Sequence, residues 1–264
     1  MLEERHELAI MEYRESHRGT LLGMTRFRDG LDDMPILGYG RGSLDHDRLE
    51  AFHRTLSGHS LNYLTRGTYW GTEQRQQSQS AAMITDGKYR NHCAVGGEDC
   101  SLCSECSDHS AACVSCLARA DPFVRCCAVV SSVASAYWIR WMLVSENYDE
   151  DIIYLARMAP TRWFRGSEAF GITEAPTRFG RVNFTMSKTK PGQAGLAGNA
   201  SLRLRPGMAS PTIALRLSSG VAGQAFKCVR VDGGGKLLAW HAQNETAWVA
   251  GAAFGFSAHL AAPC

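Results

Sequence analysis

APTRFG, residues 175–180, separates two kinds of pattern in this sequence. Downstream of it large apolar residues recur at every second position: Ile213, Leu215 and Leu217 fall on one face, and Arg216 falls on the opposite face. Short runs of this kind are separated by Gly- and Pro-containing turns, a spacing typical of an antiparallel sandwich. The sequence therefore predicts a β-sandwich domain over residues 176–264.

Upstream of residue 175 the apolar residues follow a helical period. Residues 149–159 begin with three carboxylates, which suit a first helical turn, and are followed by Pro160, which ends a helix. Helices are also predicted over residues 3–16, 43–64 and 132–146, with a Gly-rich loop over residues 30–42. The whole chain is thus predicted to be an α+β multidomain protein, with a helical domain over residues 1–175.

Size and charge limit the classes of partner. The chain has 264 residues, 45% of them hydrophobic, enough for about two domain cores. Its net charge is +2 without a run of like charges, and no apolar stretch reaches the roughly 18 residues of a membrane span. We expect neither nucleic acid nor a membrane as partner. The compartment stays open: cytoplasmic as the chain stands, secreted if further sequence precedes it.

Three carboxylates in the polar segments of the helical domain are candidates for catalysis. Asp32 and Asp33 lie in the Gly-rich loop, and Glu73 follows the predicted second helix. A pair of carboxyls can hydrolyse a glycosidic bond, one as acid/base and the other as nucleophile or base. The alternative is structural, since an Asp-Asp pair often forms a turn and Glu73 could pair with a neighbouring arginine. We assign Glu73 the acid/base role.

Four further side chains near Glu73 suit a sugar subsite. Tyr69 and Trp70 can stack on the apolar face of a pyranose ring, whereas Arg66 and His59 can bind hydroxyls. The same aromatic residues could instead belong to the core, and His59 could simply occupy a helix face. These patterns make carbohydrate the expected partner.

Several motifs together resemble one family. They are SHRG (16–19), LDDMP (31–35), TRGTY (65–69), WMLV (141–144) and APTRFGRVNF (175–184). They are similar to the C-terminal part of six-hairpin glycosidase-like proteins, in which an (α/α)6 toroid precedes a β-sandwich. The resemblance implies a glycoside hydrolase-like activity. Toroid lyases, which use Tyr, His and Arg chemistry, are an enzymatic alternative that would use Tyr69, His59 and Arg66.

The helical domain is too small to close such a toroid. Each of the six hairpins needs two helices, whereas this sequence predicts about four or five in all. We expect the chain to be the C-terminal portion of a larger protein, so that hydrolysis would need further residues.

A cysteine cluster adds a different hypothesis. Cys100, Cys103, Cys113 and Cys116 form two C-x-x-C pairs, which favour a tetrahedral zinc site and a non-catalytic interaction module. Disulfides are a second interpretation. A third is that residues 104–128 are an insertion or translated intron, because deleting them restores the family-like pattern. Without the zinc site, no cofactor is expected.

The sandwich contains further candidates. Trp240, Trp248, Phe254 and Phe256 could form a carbohydrate-binding platform, although such aromatic residues more often fill a core. Cys228 lies in a predicted strand and is expected to be a buried free thiol.

Overall fold

The computed structural model describes residues 4–21, 24–27, 30–32, 36–62, 74–76, 129–147, 149–189, 195–221 and 223–260. The chain divides into two compact units, Met1–Trp138 and Ile139–Cys264, with the boundary inside a helix. Within the described ranges, no helix combines the length and apolar character needed to cross a bilayer.

The first unit combines helices with a small sheet. Its helices are α1 (Glu4–Ser16), α2 (Ile36–Asp45), α3 (Leu49–Asn62) and the start of α4 (Val129–Leu143). Its strands are β1 (Thr20–Leu21), β2 (Met24–Phe27), β3 (Gly30–Asp32) and β4 (Gln74–Gln76), which lie side by side in that order. Each neighbouring pair is antiparallel.

Trp138 is the centre of packing in the first unit. Its ring is fully buried and meets Phe52 edge-on, with 6.4 Å between the ring centroids. Gly40 of α2 lies so close that a Cβ there would come within 2.7 Å of the indole. A Cβ on Gly42 would likewise come within 2.9 Å of the Met11 sulfur. These glycines therefore allow close packing of a helix, and the prediction of a loop through residues 38–42 is wrong.

The predicted helix over residues 43–64 is two helices. α2 ends at Asp45 and α3 begins at Leu49, because Asp47 between them has a φ of 53°. A left-handed residue cannot continue a right-handed helix, and aspartate tolerates this conformation better than most residues. The predicted helix over 3–16 is confirmed as α1.

The second unit contains two five-stranded sheets. One has the order β12 (Lys236–His241), β13 (Thr246–Ala250), β10 (Thr212–Arg216), β6 (Ile152–Leu155), β5 (Val144–Asn147). The other has the order β11 (Cys228–Gly233), β14 (Ala253–His259), β9 (Gly195–Leu204), β8 (Gly180–Lys188), β7 (Phe170–Pro176). A five-residue helix, α5 (Thr161–Arg165), links β6 to β7. The described pairings are antiparallel except that of β10 with β6.

One continuous core lies between the two sheets. Ile153, Leu155 and Leu215 contribute from one sheet, and Phe184 and Phe256 from the other. All five are at most 3% exposed, so the alternation read from the sequence places one face of each strand in the core. The predicted β-sandwich is confirmed at this level, as a pair of packed sheets. The toroid expected of the helical domain stays a prediction.

Residues 149–159 do not form the predicted helix. Ile152–Leu155 is strand β6, paired antiparallel with β5 and parallel with β10. The acidic residues that suggested a helical start instead form the turn before β6, where the Asn147 Oδ1 accepts a hydrogen bond from the Asp149 amide at 3.0 Å. Burial then alternates along β6, which is the period of a strand. The sandwich sheets thus begin at Val144, upstream of APTRFG.

Cys228 is disulfide-bonded, so the prediction of a free thiol is wrong. The other nine of the chain's 10 cysteines lie outside the described residues. Cys228 is only 3% exposed, although it lies on the opposite face of β11 from Val229 of the core. A burial prediction from the strand pattern alone could not distinguish a thiol from a half-cystine.

Candidate functional site

Most of the residues proposed from the sequence lie outside the described residues. These are Asp33, Arg66, Tyr69, Trp70, Glu73, Cys100, Cys103, Cys113 and Cys116. Asp32 and His59 are described, Asp32 by its backbone alone. Within the described ranges, no group of three or more His, Cys, Asp or Glu side chains is arranged to hold a metal ion. The zinc site therefore stays a prediction.

The small sheet brings two of the candidate segments together. Asp32 of β3 pairs with Gln74 of β4, at the end of a ladder that also pairs Gly30 with Gln76. Glu73 immediately precedes Gln74 in sequence and lies outside the described residues. The strand that contains Asp32 and the strand that follows Glu73 in sequence are therefore neighbours in one sheet.

His59 has a different environment. It is fully buried on α3, and its ring lies 5.5 Å from the ring of Trp138, centroid to centroid. A histidine enclosed in this way against an aromatic residue contributes to packing. The structure therefore favours the structural interpretation of His59 over a role in a sugar subsite.

The aromatic residues of the sandwich do not form one platform. Phe254 and Phe256 are buried in the core, and Trp240 packs against it, donating its indole N–H to the Phe226 carbonyl at 3.1 Å. Trp248 points to the other face of its sheet and meets Tyr154 edge-on, with an interplanar angle of 72°. Sugar stacking on neighbouring rings needs coplanar faces, and this pair does not offer them.

A polar pocket of about 440 Å³ lies in the second unit. It is formed by α5, the segment that follows β10, and the turn between β12 and β13. Its polar lining consists of Thr161, Arg165, Arg216, Ser218, Gln224, Gln243 and Glu245. Its volume lies within the range of about 300–1,000 Å³ that is usual for ligand sites.

Arg216 is held firmly at the base of this pocket. Its Nη1 donates to the carbonyls of Arg157 at 3.3 Å and Ala159 at 3.2 Å. Its Nη2 lies 3.4 Å from the Glu245 carboxylate, and both side chains are largely buried, at 15% and 21% exposure. Arg216 thus acts mainly as a structural tie between the loop after β6 and the turn before β13.

Arg165, which also lines the pocket, is positioned by contacts with Gly220. The Arg165 Nε donates to the Gly220 carbonyl, and the Gly220 amide donates to the Ser218 hydroxyl at 3.2 Å. Gly220 has a φ of 76°, which favours glycine, and a Cβ there would come within 2.5 Å of the Arg165 Cγ. The loop therefore fixes the stem of Arg165 beside the pocket.

Sequence reasoning missed this pocket because its residues come from three distant segments. The sequence pattern identifies Arg216 only as part of the polar face of a strand. Searches against known proteins supply no further assignment: no protein-family model matches the sequence, and no curated protein matches it.

Proposed function

We propose that the chain belongs to a carbohydrate-active protein in which Glu73 and Asp32 or Asp33 form a glycoside-hydrolysing carboxyl pair. The observation that supports this proposal is the pairing of Asp32 with Gln74, the residue that follows Glu73. The strands β3 and β4, which lie on either side of α2 and α3 in sequence, are adjacent in the sheet. Hydrolysis of a glycosidic bond requires two carboxyl groups that flank the bond, and neighbouring strands are a suitable support for such a pair.

The proposal covers both stereochemical courses. Retaining enzymes hold the two carboxyl groups about 5–5.5 Å apart, and inverting enzymes about 6.5–9.5 Å apart. In each case one carboxylic acid protonates the leaving glycosidic oxygen. The second carboxylate either attacks the anomeric carbon or takes a proton from the attacking water, and one water molecule is consumed per bond.

Arg66, Tyr69 and Trp70 would line the sugar subsite in this proposal. They precede Glu73 by a few residues in sequence. Their chemistry supports stacking and hydroxyl recognition rather than proton transfer.

Substitution of Glu73 tests the proposal. On a panel of oligosaccharides, Glu73→Gln should lower kcat by at least about 10²-fold while changing substrate affinity little, because it removes the acid but retains the shape. Glu50→Gln is the matched control, since Glu50 is an exposed carboxylate of the same unit that pairs with Arg54. Equal turnover by the two variants would exclude Glu73 from the chemistry. An unsaturated sugar product would instead indicate a lyase.

The zinc module suggested by the cysteine pairs is separable from this function. Zinc content measured after purification without chelator, and glycan binding measured with chelator present, distinguish the two. Stoichiometric zinc with no glycan turnover would favour the interaction module.

A further inference from the structure

The pocket of the second unit carries an excess of positive charge. Its charged lining residues are Arg165, Arg216 and Glu245, so two cations face one anion at neutral pH. Glu245 lies 3.4 Å from the Arg216 Nη2, and these two charges largely neutralise each other. The unbalanced charge of the pocket is therefore that of Arg165.

Arg165 retains donors for a ligand. Its Nε is used by the Gly220 carbonyl, and in the described part of the chain no carboxylate pairs with its guanidinium. The two terminal nitrogens of an arginine held at Nε form a planar fork that matches the two oxygens of a carboxylate. Arg165 is exposed, but its stem is positioned by the loop at Gly220, so the fork has a preferred place at the rim.

The uncharged polar residues that line the pocket indicate which other groups a carboxylate ligand would carry. Thr161, Ser218, Gln224 and Gln243 provide hydroxyl and amide groups, which both donate and accept hydrogen bonds. Such groups match sugar hydroxyls. A cavity of about 440 Å³ is also far larger than a simple inorganic anion needs, while an uncharged sugar would leave Arg165 without a counter-charge.

We propose that this pocket binds a small sugar acid of the uronate type, with the carboxylate on Arg165 and the hydroxyls on the amide and hydroxyl side chains. The inference goes beyond the hydrolysis proposed above and does not depend on it, because every lining residue belongs to the second unit. It gives the sandwich a recognition role for acidic glycans. Failure of one proposal therefore leaves the other testable.

The test is calorimetric or NMR titration of the full chain with D-glucuronate, D-glucose and acetate. We expect saturable binding of glucuronate, with glucose and acetate each binding at least about tenfold more weakly, since each lacks one half of the recognition. If glucose bound as tightly as glucuronate, the proposed recognition of the carboxylate would be wrong. If acetate bound as tightly as glucuronate, the proposed recognition of the sugar hydroxyls would be wrong. Absence of saturable glucuronate binding would contradict the whole site.

Three variants make the residue assignment specific. Arg165→Gln should weaken glucuronate binding about tenfold or more, and Glu245→Gln should tighten it because the pocket becomes more positive. Arg162→Gln is the matched control: Arg162 is an exposed arginine of the same short helix that does not line the pocket, and its loss should change nothing. Circular dichroism confirms that each variant is folded. Unchanged binding in a folded Arg165→Gln protein would contradict the proposal.

Discussion

Arg140 and Glu146 form an ion pair in which the carboxylate is almost completely buried. The Arg140 Nη2 lies 3.4 Å from the Glu146 Oε2, and the Glu146 side chain is 7% exposed. The other carboxylate oxygen accepts the Arg178 amide at 2.8 Å, while Arg140 also donates to the Pro176 carbonyl at 2.5 Å. The pair thus joins the end of α4 and strand β5 to the segment between β7 and β8.

Neutralising Glu146 should destabilise this junction. Glu146→Gln leaves Arg140 without its counter-charge in a desolvated place, so we expect the free energy of unfolding to fall by about 1–3 kcal/mol. Urea-induced unfolding measures the change. Asp151→Asn is the control, because Asp151 pairs with Arg178 at 3.3 Å but its side chain is 79% exposed. The free energy of unfolding of Asp151→Asn should fall by less than about 0.5 kcal/mol. Equal losses in Glu146→Gln and Asp151→Asn would contradict the importance of burial.

The same junction shows how far the sequence predicts the fold. From β7 onward the alternating pattern is local and predicts strands correctly: the alternation of Ile213 and Leu215, for example, falls in β10, Thr212–Arg216. Residues 149–159 were misread because a short buried strand beside an acidic turn matches a helical pattern equally well. What decides the structure of Ile152–Leu155 is its pairing with β10, some 60 residues later, which no local pattern contains.

Alanine substitution of adjacent residues distinguishes the two structures of this segment. In β6 Ile153 is fully buried, whereas Ile152 is only partly buried. Ile153→Ala should therefore lower the free energy of unfolding by about 2–5 kcal/mol, and Ile152→Ala should lower it clearly less. The predicted helix would place both on one apolar face and make their costs similar. Chemical denaturation of the two variants provides the comparison, and equal losses would contradict the strand.

The candidate sites were predictable to different degrees. Residue chemistry alone indicates Asp32 and Glu73, and what the structure adds is the pairing of Asp32 with Gln74, the residue after Glu73 in sequence. The sugar-acid pocket could not be found in the same way. In the sequence its most informative residue, Arg165, is only one of 28 basic residues. The fold distinguishes it, because it brings Gly220 against the Arg165 side chain and Glu245 into the same pocket.

Gly220 should be essential to the shape of that pocket. Gly220→Ala has two effects. It places an alanine at a left-handed φ of 76°, and it adds a Cβ that would lie 2.5 Å from the Arg165 Cγ. The substitution should therefore displace Arg165 and weaken glucuronate binding. Gly207→Ala separates the two effects, because its φ is 80° but a Cβ there would have no described atom within 4 Å. We expect Gly207→Ala to cost only the backbone strain, about 1 kcal/mol, and to leave binding unchanged. Thermal unfolding and titration measure both; equal binding by both variants would contradict the packing of Gly220 on Arg165.

The disulfide of Cys228 should contribute substantially to the stability of the sandwich. Cys228 lies in β11 opposite His259 of β14 and is only 3% exposed, so both its covalent bond and its packing are lost in Cys228→Ser. We expect the free energy of unfolding to fall by about 2–5 kcal/mol in Cys228→Ser. Dithiothreitol should destabilise the native chain, whereas it should change the stability of the variant little. Non-reducing peptide mapping identifies the partner cysteine. A native chain whose stability is unaffected by dithiothreitol would contradict a stabilising disulfide at Cys228.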